Sequence, residues 1–108
     1  MLKKKNRANT KTVEEIFKQG KFLNCTSLTF KFVLNKNSKE PAVSFIAPKS
    51  IAKLAVKRNM LRRRGYRALE KYIHQFPAGL VGAFIFRKAE NDTAILENEI
   101  KNILDKIS

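Results

Sequence analysis

Residues 54–76 read LAVKRNMLRRRGYRALEKYIHQF and decide the fold. Apolar side chains recur at helical spacing along one side of this stretch, which indicates a helix that packs against another layer. Basic side chains occupy the other side, and the residues that follow, Pro77 to Gly79, are typical of a helix end. We therefore predict one long helix with a basic front and an apolar back made of Leu54, Leu61, Ala68, Leu69, Tyr72 and Phe76.

Two segments of strand character precede this helix and one follows it. Residues 28–34 alternate in the manner of a half-buried strand, and residues 42–47 form a second candidate strand that ends at Pro48. The polar segment 35–41 between them has the composition of a turn, so we predict an antiparallel hairpin. Residues 80–86 are almost entirely apolar, which is typical of an interior strand that is buried on both faces.

Two further helices complete the predicted fold. Thr12 and Glu15 have the spacing of a capping box, and Gly20 is a suitable stop for a short first helix. Asp92 or Thr93 can cap a last helix with a continuous apolar stripe. The predicted order is α-β-β-α-β-α, and the fold class is α+β, a small two-layer α/β sandwich in which the long helix connects two parallel strands.

The charge of the chain is large and unevenly distributed. Among 108 residues, 23 are Lys or Arg and 9 are Asp or Glu, which gives a formal net charge of +14. Residues 49–71 hold nine basic residues and one acid, whereas residues 90–108 hold five acids and two lysines. Such a one-sided segment favours a nucleic-acid surface over an ordinary solvated face, and its many arginines favour structured nucleic acid over lipid. We expect 1–108 to form a single domain with a flexible basic arm over about 1–11.

Several kinds of site and compartment are disfavoured by the sequence. One cysteine, Cys25, and one histidine, His74, supply neither an internal disulfide nor the usual zinc ligand set. There is no carboxylate cluster and no Gly-rich phosphate loop for protein-based catalysis. No apolar run approaches the roughly 20 residues that span a bilayer, and the basic start Met1–Lys5 lacks the apolar segment of a secretory signal. We expect a cytoplasmic protein with an inert, half-buried Cys25 thiol and a partly buried His74.

Residues 53–64, KLAVKRNMLRRR, resemble a run in the protein component of bacterial ribonuclease P. In that family the long helix opens with Ala-Val-x-Arg-Asn-Arg-x-Lys/Arg-Arg. Met60 departs from the third position of the Arg-Asn-Arg triplet, Tyr66 stands where a later family arginine falls, and Val13 stands where the family often has Phe. The resemblance extends over nearly the whole chain. The residues that match the run in place are Ala55, Val56, Arg58, Asn59, Arg62 and Arg63.

The resemblance implies a fold, an activity and partners. The implied fold is like domain 2 of ribosomal protein S5, with a left-handed β-α-β crossover against the right-handed norm. The implied activity is assistance to a catalytic RNA in the endonucleolytic removal of the 5′ leader from precursor tRNA. The chemistry then belongs to the RNA and its Mg²⁺ ions, and the protein itself binds no cofactor. The implied partners are the catalytic RNA and precursor tRNA, with no membrane and no DNA.

Two RNA contacts are predicted. The resemblance places a leader-binding cleft between the first helix and the sheet, with Phe17 at the family position and Lys31 on the strand face opposite Phe30 and Phe32. Phe17 could instead belong to the core, and Phe22, Phe30 and Phe32 are expected in the core rather than as platforms for bases. Tyr66 is a candidate for base stacking, with packing at the helix edge as the alternative. The predicted contacts with the catalytic RNA are Lys49, Lys53, Lys57, Arg58, Asn59, Arg62, Arg63, Tyr66 and Arg67.

Three other functions fit parts of the sequence. A small structural rRNA-binding protein of the ribosome would have the same composition, but the Arg58-Asn59 run at the start of a helix between two strands argues against it. A DNA-binding regulator would need short helices around a turn, which the strand pattern opposes. A protein-only nuclease would need metal-binding acids, and the acids of this chain lie mostly in the last helix.

Overall fold

The computed structural model describes residues 20–34 and 41–107. These residues form a mixed α+β structure, as predicted, in which a four-stranded sheet packs against two helices. The predicted first helix and the basic arm lie outside the described residues. The strands are β1 (Lys21–Asn24), β2 (Leu28–Leu34), β3 (Ala42–Ile46) and β4 (Leu80–Phe86), and the helices are α1 (Ala55–Glu70) and α2 (Thr93–Ile107), with a 3₁₀ turn at Ile73–Gln75.

The strands are arranged in the order β1-β2-β4-β3. β2 pairs antiparallel with β1 and with β4, whereas β3 pairs parallel with β4. The predicted hairpin between β2 and β3 is therefore wrong, because β4 lies between them. β4 is almost wholly apolar, so a central position removes the most apolar surface from water. The predicted parallel connection from β3 through α1 to β4 is confirmed, and its left-handed sense stays a prediction.

β1 is an edge strand that the sequence pattern did not predict. Three of its four residues are exposed, so no apolar alternation marks it. Backbone pairing with β2 defines it instead, with Phe22 opposite Lys31 and Leu23 opposite Phe30. The turn into β2 is closed by the N–H of Cys25, which donates to the Leu28 carbonyl at 2.7 Å.

α1 ends at Glu70 rather than at the predicted Phe76. The chain continues through the 3₁₀ turn, where the N–H of Phe76 donates to the Ile73 carbonyl at 3.3 Å. Phe76 itself is extended, with φ −70° and ψ 144°, because the helical region is disfavoured before a proline. Gly79 then turns the chain into β4 with a φ of 82°, a conformation that favours glycine.

The other boundaries agree more closely with the sequence. β2 and β4 have the predicted bounds, 28–34 and 80–86. α2 begins at Thr93, and the Oδ1 of Asp92 accepts a hydrogen bond from the N–H of Ala94 at 2.9 Å. Asp92 is therefore the residue that caps this helix, as one of the two predicted candidates.

The hydrophobic core lies between the sheet and the two helices. Phe30, Phe84 and Phe45 stack across the neighbouring strands β2, β4 and β3, with ring centroids 4.4 and 5.0 Å apart. α1 approaches β3 closely at Gly65, where a Cβ atom would lie 2.4 Å from the Phe45 ring. The helices complete the core with Leu61, Ala68, Leu69, Leu96, Ile100, Ile103 and Leu104.

Candidate RNA-binding surface

α1 turns its apolar side to the sheet and its cations outward. Its buried residues are Leu61, Gly65, Ala68 and Leu69. The basic side chains of the helix and of the preceding loop are exposed, apart from Arg58 and Arg64, which are half-buried. No acid interrupts the sequence between residues 41 and 69. We call this surface the basic face, and its members are Lys49, Lys53, Lys57, Arg58, Arg62, Arg63, Arg64 and Arg67.

Arg58 is bound to the segment that leads into its own helix. Its Nη1 donates to the backbone oxygen of Lys53 at 2.7 Å and to that of Ala52 at 3.0 Å. The helix begins after Leu54, whose side chain cannot cap it. Arg58 therefore helps to order a helix N-terminus that has no capping side chain. A guanidinium has five N–H donors, and the three on Nε and Nη2 are not used in these two bonds.

Two asparagines orient arginines of the basic face. Arg62 donates from Nη2 to the Oδ1 of Asn59, one helical turn earlier. Arg64 donates from Nη1 to the Oδ1 of Asn91, which ties α1 to the loop that follows β4. A guanidinium held in this way loses less freedom when it binds a phosphate. Asn59, predicted as an RNA contact, therefore also positions Arg62.

Tyr66 lies at the edge of the helix and packs inward. Its ring meets the Phe45 ring edge-on at 5.2 Å, and its hydroxyl oxygen accepts the N–H of Phe45 at 3.2 Å. The structure thus places Tyr66 in the packing alternative rather than on the open basic front. Tyr66 is half-buried, and its stacking on a base stays a prediction.

Lys31 lies on the sheet face that turns away from the core. Phe30, its neighbour in β2, is fully buried among the core rings, so Lys31 points to the opposite side, as predicted. Its register partner in β1 is Phe22, whose side chain is 61% exposed. The expectation that Phe22 belongs to the core is therefore wrong. Sequence reasoning missed the exposure of Phe22 because β1 shows no apolar alternation. Phe17, the predicted leader contact, lies outside the described residues.

A buried carboxylate organises the turn between β1 and β2. Glu99 of α2 is 7% exposed, and its Oε1 accepts the N–H groups of Ser27 at 2.8 Å and Leu28 at 3.2 Å. Cys25 is half-buried beside it, as predicted. Burial first, and then the nearby Glu99 carboxylate, raise the pKa of the Cys25 thiol above its ordinary value. Cys25 is therefore a protonated, weakly reactive thiol at neutral pH.

The described part of the chain contains no group of three His, Cys, Asp or Glu residues placed to hold a metal ion. His74 is exposed, not partly buried as predicted, because the 3₁₀ turn directs it outward. Neither α1 nor α2 is long and apolar enough to cross a membrane.

The fold is similar to solved structures of bacterial RNase P proteins. The RNase P protein of Staphylococcus aureus superposes with a TM-score of 0.81 at 16% identity, over 98% of this chain and 97% of that one. The protein from Thermotoga maritima gives a TM-score of 0.79 at 21% identity, over 94% and 97% of the two chains. A second structure of the Thermotoga maritima protein, in complex with 1-(4-fluorophenyl)-2-thiourea, gives 0.74 at 23% identity, over 88% and 92%.

No curated protein matches the chain significantly by sequence. The sequence profile of one family, described as Ribonuclease P, matches residues 2–108. The resemblance read from residues 53–64 is thereby confirmed over almost the full length. The chain belongs to the Ribonuclease P family, as a protein component of that tRNA-processing enzyme.

Proposed function

We propose that this chain binds the catalytic RNA of ribonuclease P through the basic face and the 5′ leader of precursor tRNA through the sheet face that carries Lys31. The observation that supports binding of the catalytic RNA is that α1 has two chemically different sides. Its apolar side is used in the core, and its outward side presents arginines and lysines without an intervening acid. A surface of this kind binds phosphates, and its arginines add bidentate geometry.

The leader side of the proposal rests on the pair formed by Lys31 and Phe22. The two residues are directly opposite each other in neighbouring strands, so their side chains project from the same sheet face. An exposed ring beside an ammonium suits single-stranded RNA, because the ring stacks on any base and the charge meets the backbone. Phe17, predicted in the same cleft, is part of this proposal.

The chemistry of leader removal is assigned to the RNA subunit and its Mg²⁺ ions. The protein contributes cations that offset phosphate repulsion between the two RNAs. Purified protein freed of RNA should therefore leave precursor tRNA intact. Added to the catalytic RNA, it should lower the Mg²⁺ concentration that half-maximal cleavage requires. Robust cleavage by the protein alone would contradict this assignment. A cytoplasmic location, where precursor tRNA is processed in bacteria, is part of the proposal.

The experiment that tests the basic face is a comparison of two double variants. Arg62→Ala with Arg63→Ala removes two exposed cations from the basic face, and Lys101→Ala with Lys106→Ala removes two exposed cations from α2. Affinity for the catalytic RNA is measured over a series of salt concentrations. The first variant should bind more weakly and lower the salt slope by about one to two. Equal effects of both variants would show that only net charge matters.

The structural rRNA-binding alternative predicts a different bound RNA. Protein purified from cells with its RNA should carry the ribonuclease P RNA, and sequencing that RNA identifies it. Recovery of ribosomal RNA in its place would favour the alternative, which the family match does not favour.

A further inference from the structure

A groove of about 440 Å³ lies beside the first turns of α1. Three parts of the chain line it: the segment 51–54 before the helix, the helix itself, and the loop after β4 through Ala89 and Asn91. It is distinct from the sheet face that carries Lys31, which lies on the opposite side of the sheet from α1.

The groove exposes apolar surface at a place where the rest of the helix is charged. Leu54 is 59% exposed and Met60 is 43% exposed, and both line the groove. The sequence pattern predicts Leu54 in the apolar back of the helix. That assignment is wrong, because α1 starts after Leu54 and the side chain does not reach the core.

The other lining groups are cationic or neutral. Lys53, Lys57 and Arg64 belong to the groove, and none of the described residues that line it is an acid. Lys57, Met60 and Arg64 follow one another at i, i+3 and i+7, so they lie along one side of α1. The groove is thus an apolar strip bordered by positive charge and continuous with the basic face.

Two contacts hold the groove in shape. Arg58 binds the carbonyls of Ala52 and Lys53, which fixes the segment on one side. Arg64 binds Asn91, which fixes the loop on the other. A site held open in this way spends little free energy on ordering when a ligand enters.

We infer that the groove binds a single unpaired nucleotide of the catalytic RNA, an inference that rests on the proposed function. The base lies against Leu54 and Met60, and the flanking phosphates meet Lys53, Lys57 and Arg64. The thioether of Met60 is polarisable and suits the face or edge of an aromatic ring. Met60 stands where the family run has an arginine, so this chain has an apolar contact at that place.

The chemistry of the groove selects this occupant among others. A double helix presents phosphates but no apolar group that could contact Leu54 and Met60. Unpaired bases in the loops and bulges of RNA can make this contact. An uncharged apolar peptide would leave the three cations without partners. An acidic peptide would satisfy the charges. The groove shares Lys53, Lys57 and Arg64 with the basic face, however, so the RNA that binds the basic face also reaches the groove.

The test combines two groove substitutions with a matched control. Leu54→Ser with Met60→Ala removes the apolar strip, while Val56→Ala removes an apolar side chain that is 63% exposed on the same helix and outside the groove. Serine is a good residue at a helix start and alanine a good one within a helix, so the fold should persist, which a thermal melt verifies. The groove variant should bind the catalytic RNA about tenfold more weakly, with an unchanged salt slope, since no cation is lost.

A cross-linking measurement identifies the occupant. A photoreactive aryl azide is attached at Met60→Cys in a Cys25→Ser background, and the protein is bound to the catalytic RNA. Cross-links should concentrate on one unpaired nucleotide, and the same probe at Leu34→Cys, an exposed position at the end of the sheet where β4 begins, should not reach that nucleotide. Cross-links confined to base-paired regions would overturn the inference.

The affinities separate this inference from the proposed function. If the groove variant binds RNA normally while Arg62→Ala with Arg63→Ala weakens binding, the groove assignment is wrong and the proposed function stands. If neither variant affects RNA affinity, the proposed use of the basic face fails as well. Loss of binding to an acidic peptide, with RNA affinity intact, would assign the groove to a protein partner and overturn the inference.

Discussion

The guanidinium of Arg58 lies 2.7 Å from the backbone oxygen of Lys53, which precedes the helix that Arg58 belongs to. A second bond from the same nitrogen reaches Ala52. The first arginine of the Arg-Asn run therefore builds the start of α1 as well as contributing charge to the basic face. A loss of RNA binding in an Arg58 variant can arise from either role, and the two must be measured separately.

Replacement of Arg58 should affect the fold as well as RNA binding. Arg58→Ala removes two hydrogen bonds from a charged donor, which we expect to lower the free energy of unfolding by about 1–2 kcal/mol. Arg58→Lys keeps the charge and a nitrogen with several N–H donors, but its side chain is one atom shorter, so it should restore only part of that loss. Urea unfolding of both variants measures the effect. If Arg58→Ala has wild-type stability, the two bonds contribute nothing to the fold.

Gly65 should tolerate no side chain, even though alanine is the better helix former. A Cβ at this position would lie 2.4 Å from the Phe45 ring. Overpacking costs about 1–3 kcal/mol, and the helix propensity of alanine recovers about 1 kcal/mol of it. We expect Gly65→Ala to lower the melting temperature. Combined with Phe45→Val, which opens space, the same substitution should cost less; an equal cost in both backgrounds would contradict the contact.

The Glu99 carboxylate should stabilise the fold through its acceptor oxygen and not through its charge. Glu99→Ala leaves the buried N–H groups of Ser27 and Leu28 without their acceptor. Each unsatisfied group costs about 1–3 kcal/mol, so the free energy of unfolding should fall by about 2–6 kcal/mol. Glu99→Gln retains an acceptor oxygen and should lose much less. Chemical denaturation of both variants tests this, and similar losses would point to the charge instead.

The rate at which the Cys25 thiol is modified at different pH values should show the influence of the nearby Glu99 carboxylate. The pKa of the thiol is raised by burial and by the Glu99 carboxylate, and only the thiolate reacts with a disulfide reagent. Modification should be slow at pH 8 and should accelerate only as the pH rises past the ordinary thiol range. Glu99→Gln removes a like charge, so the pKa should fall and the rate at pH 8 should increase. Identical pH profiles for both proteins would exclude this electrostatic effect.

Phe22 and Phe17 should distinguish precursor tRNA from mature tRNA. Phe22→Ala removes an exposed ring and should hardly alter stability, yet stacking on a base contributes about 1–3 kcal/mol. Affinity for precursor tRNA should fall while affinity for mature tRNA, which has no leader, should stay the same. Ile95→Ala, an exposed apolar residue of α2, is the control.

Phe17→Ala is expected to act in the same direction if Phe17 lies in the leader cleft. If it belongs to the core, the substitution should cost about 3–5 kcal/mol of stability and weaken all activities together. Thermal stability measured beside the two tRNA affinities decides between these outcomes.

Local patterns predicted most elements of the described fold. The bounds of β2 and β4, the cap at Asp92 and the outward cations of α1 follow from periodicity, capping chemistry and charge, which act over a few neighbouring residues. The run from Ala55 to Arg63 also indicated the family, since it combines a motif with a position in the chain.

The tertiary structure decided the features that depend on distant partners. β4 separates β2 from β3 because its apolar faces are buried best inside the sheet; its composition predicted an interior strand but not which strands would flank it. β1 exists through pairing with β2, which leaves Phe22 exposed beside Lys31. Tyr66 packs inward because Phe45 offers both a ring and an N–H donor. Each of these outcomes depends on contacts across the fold, which sequence spacing alone does not encode.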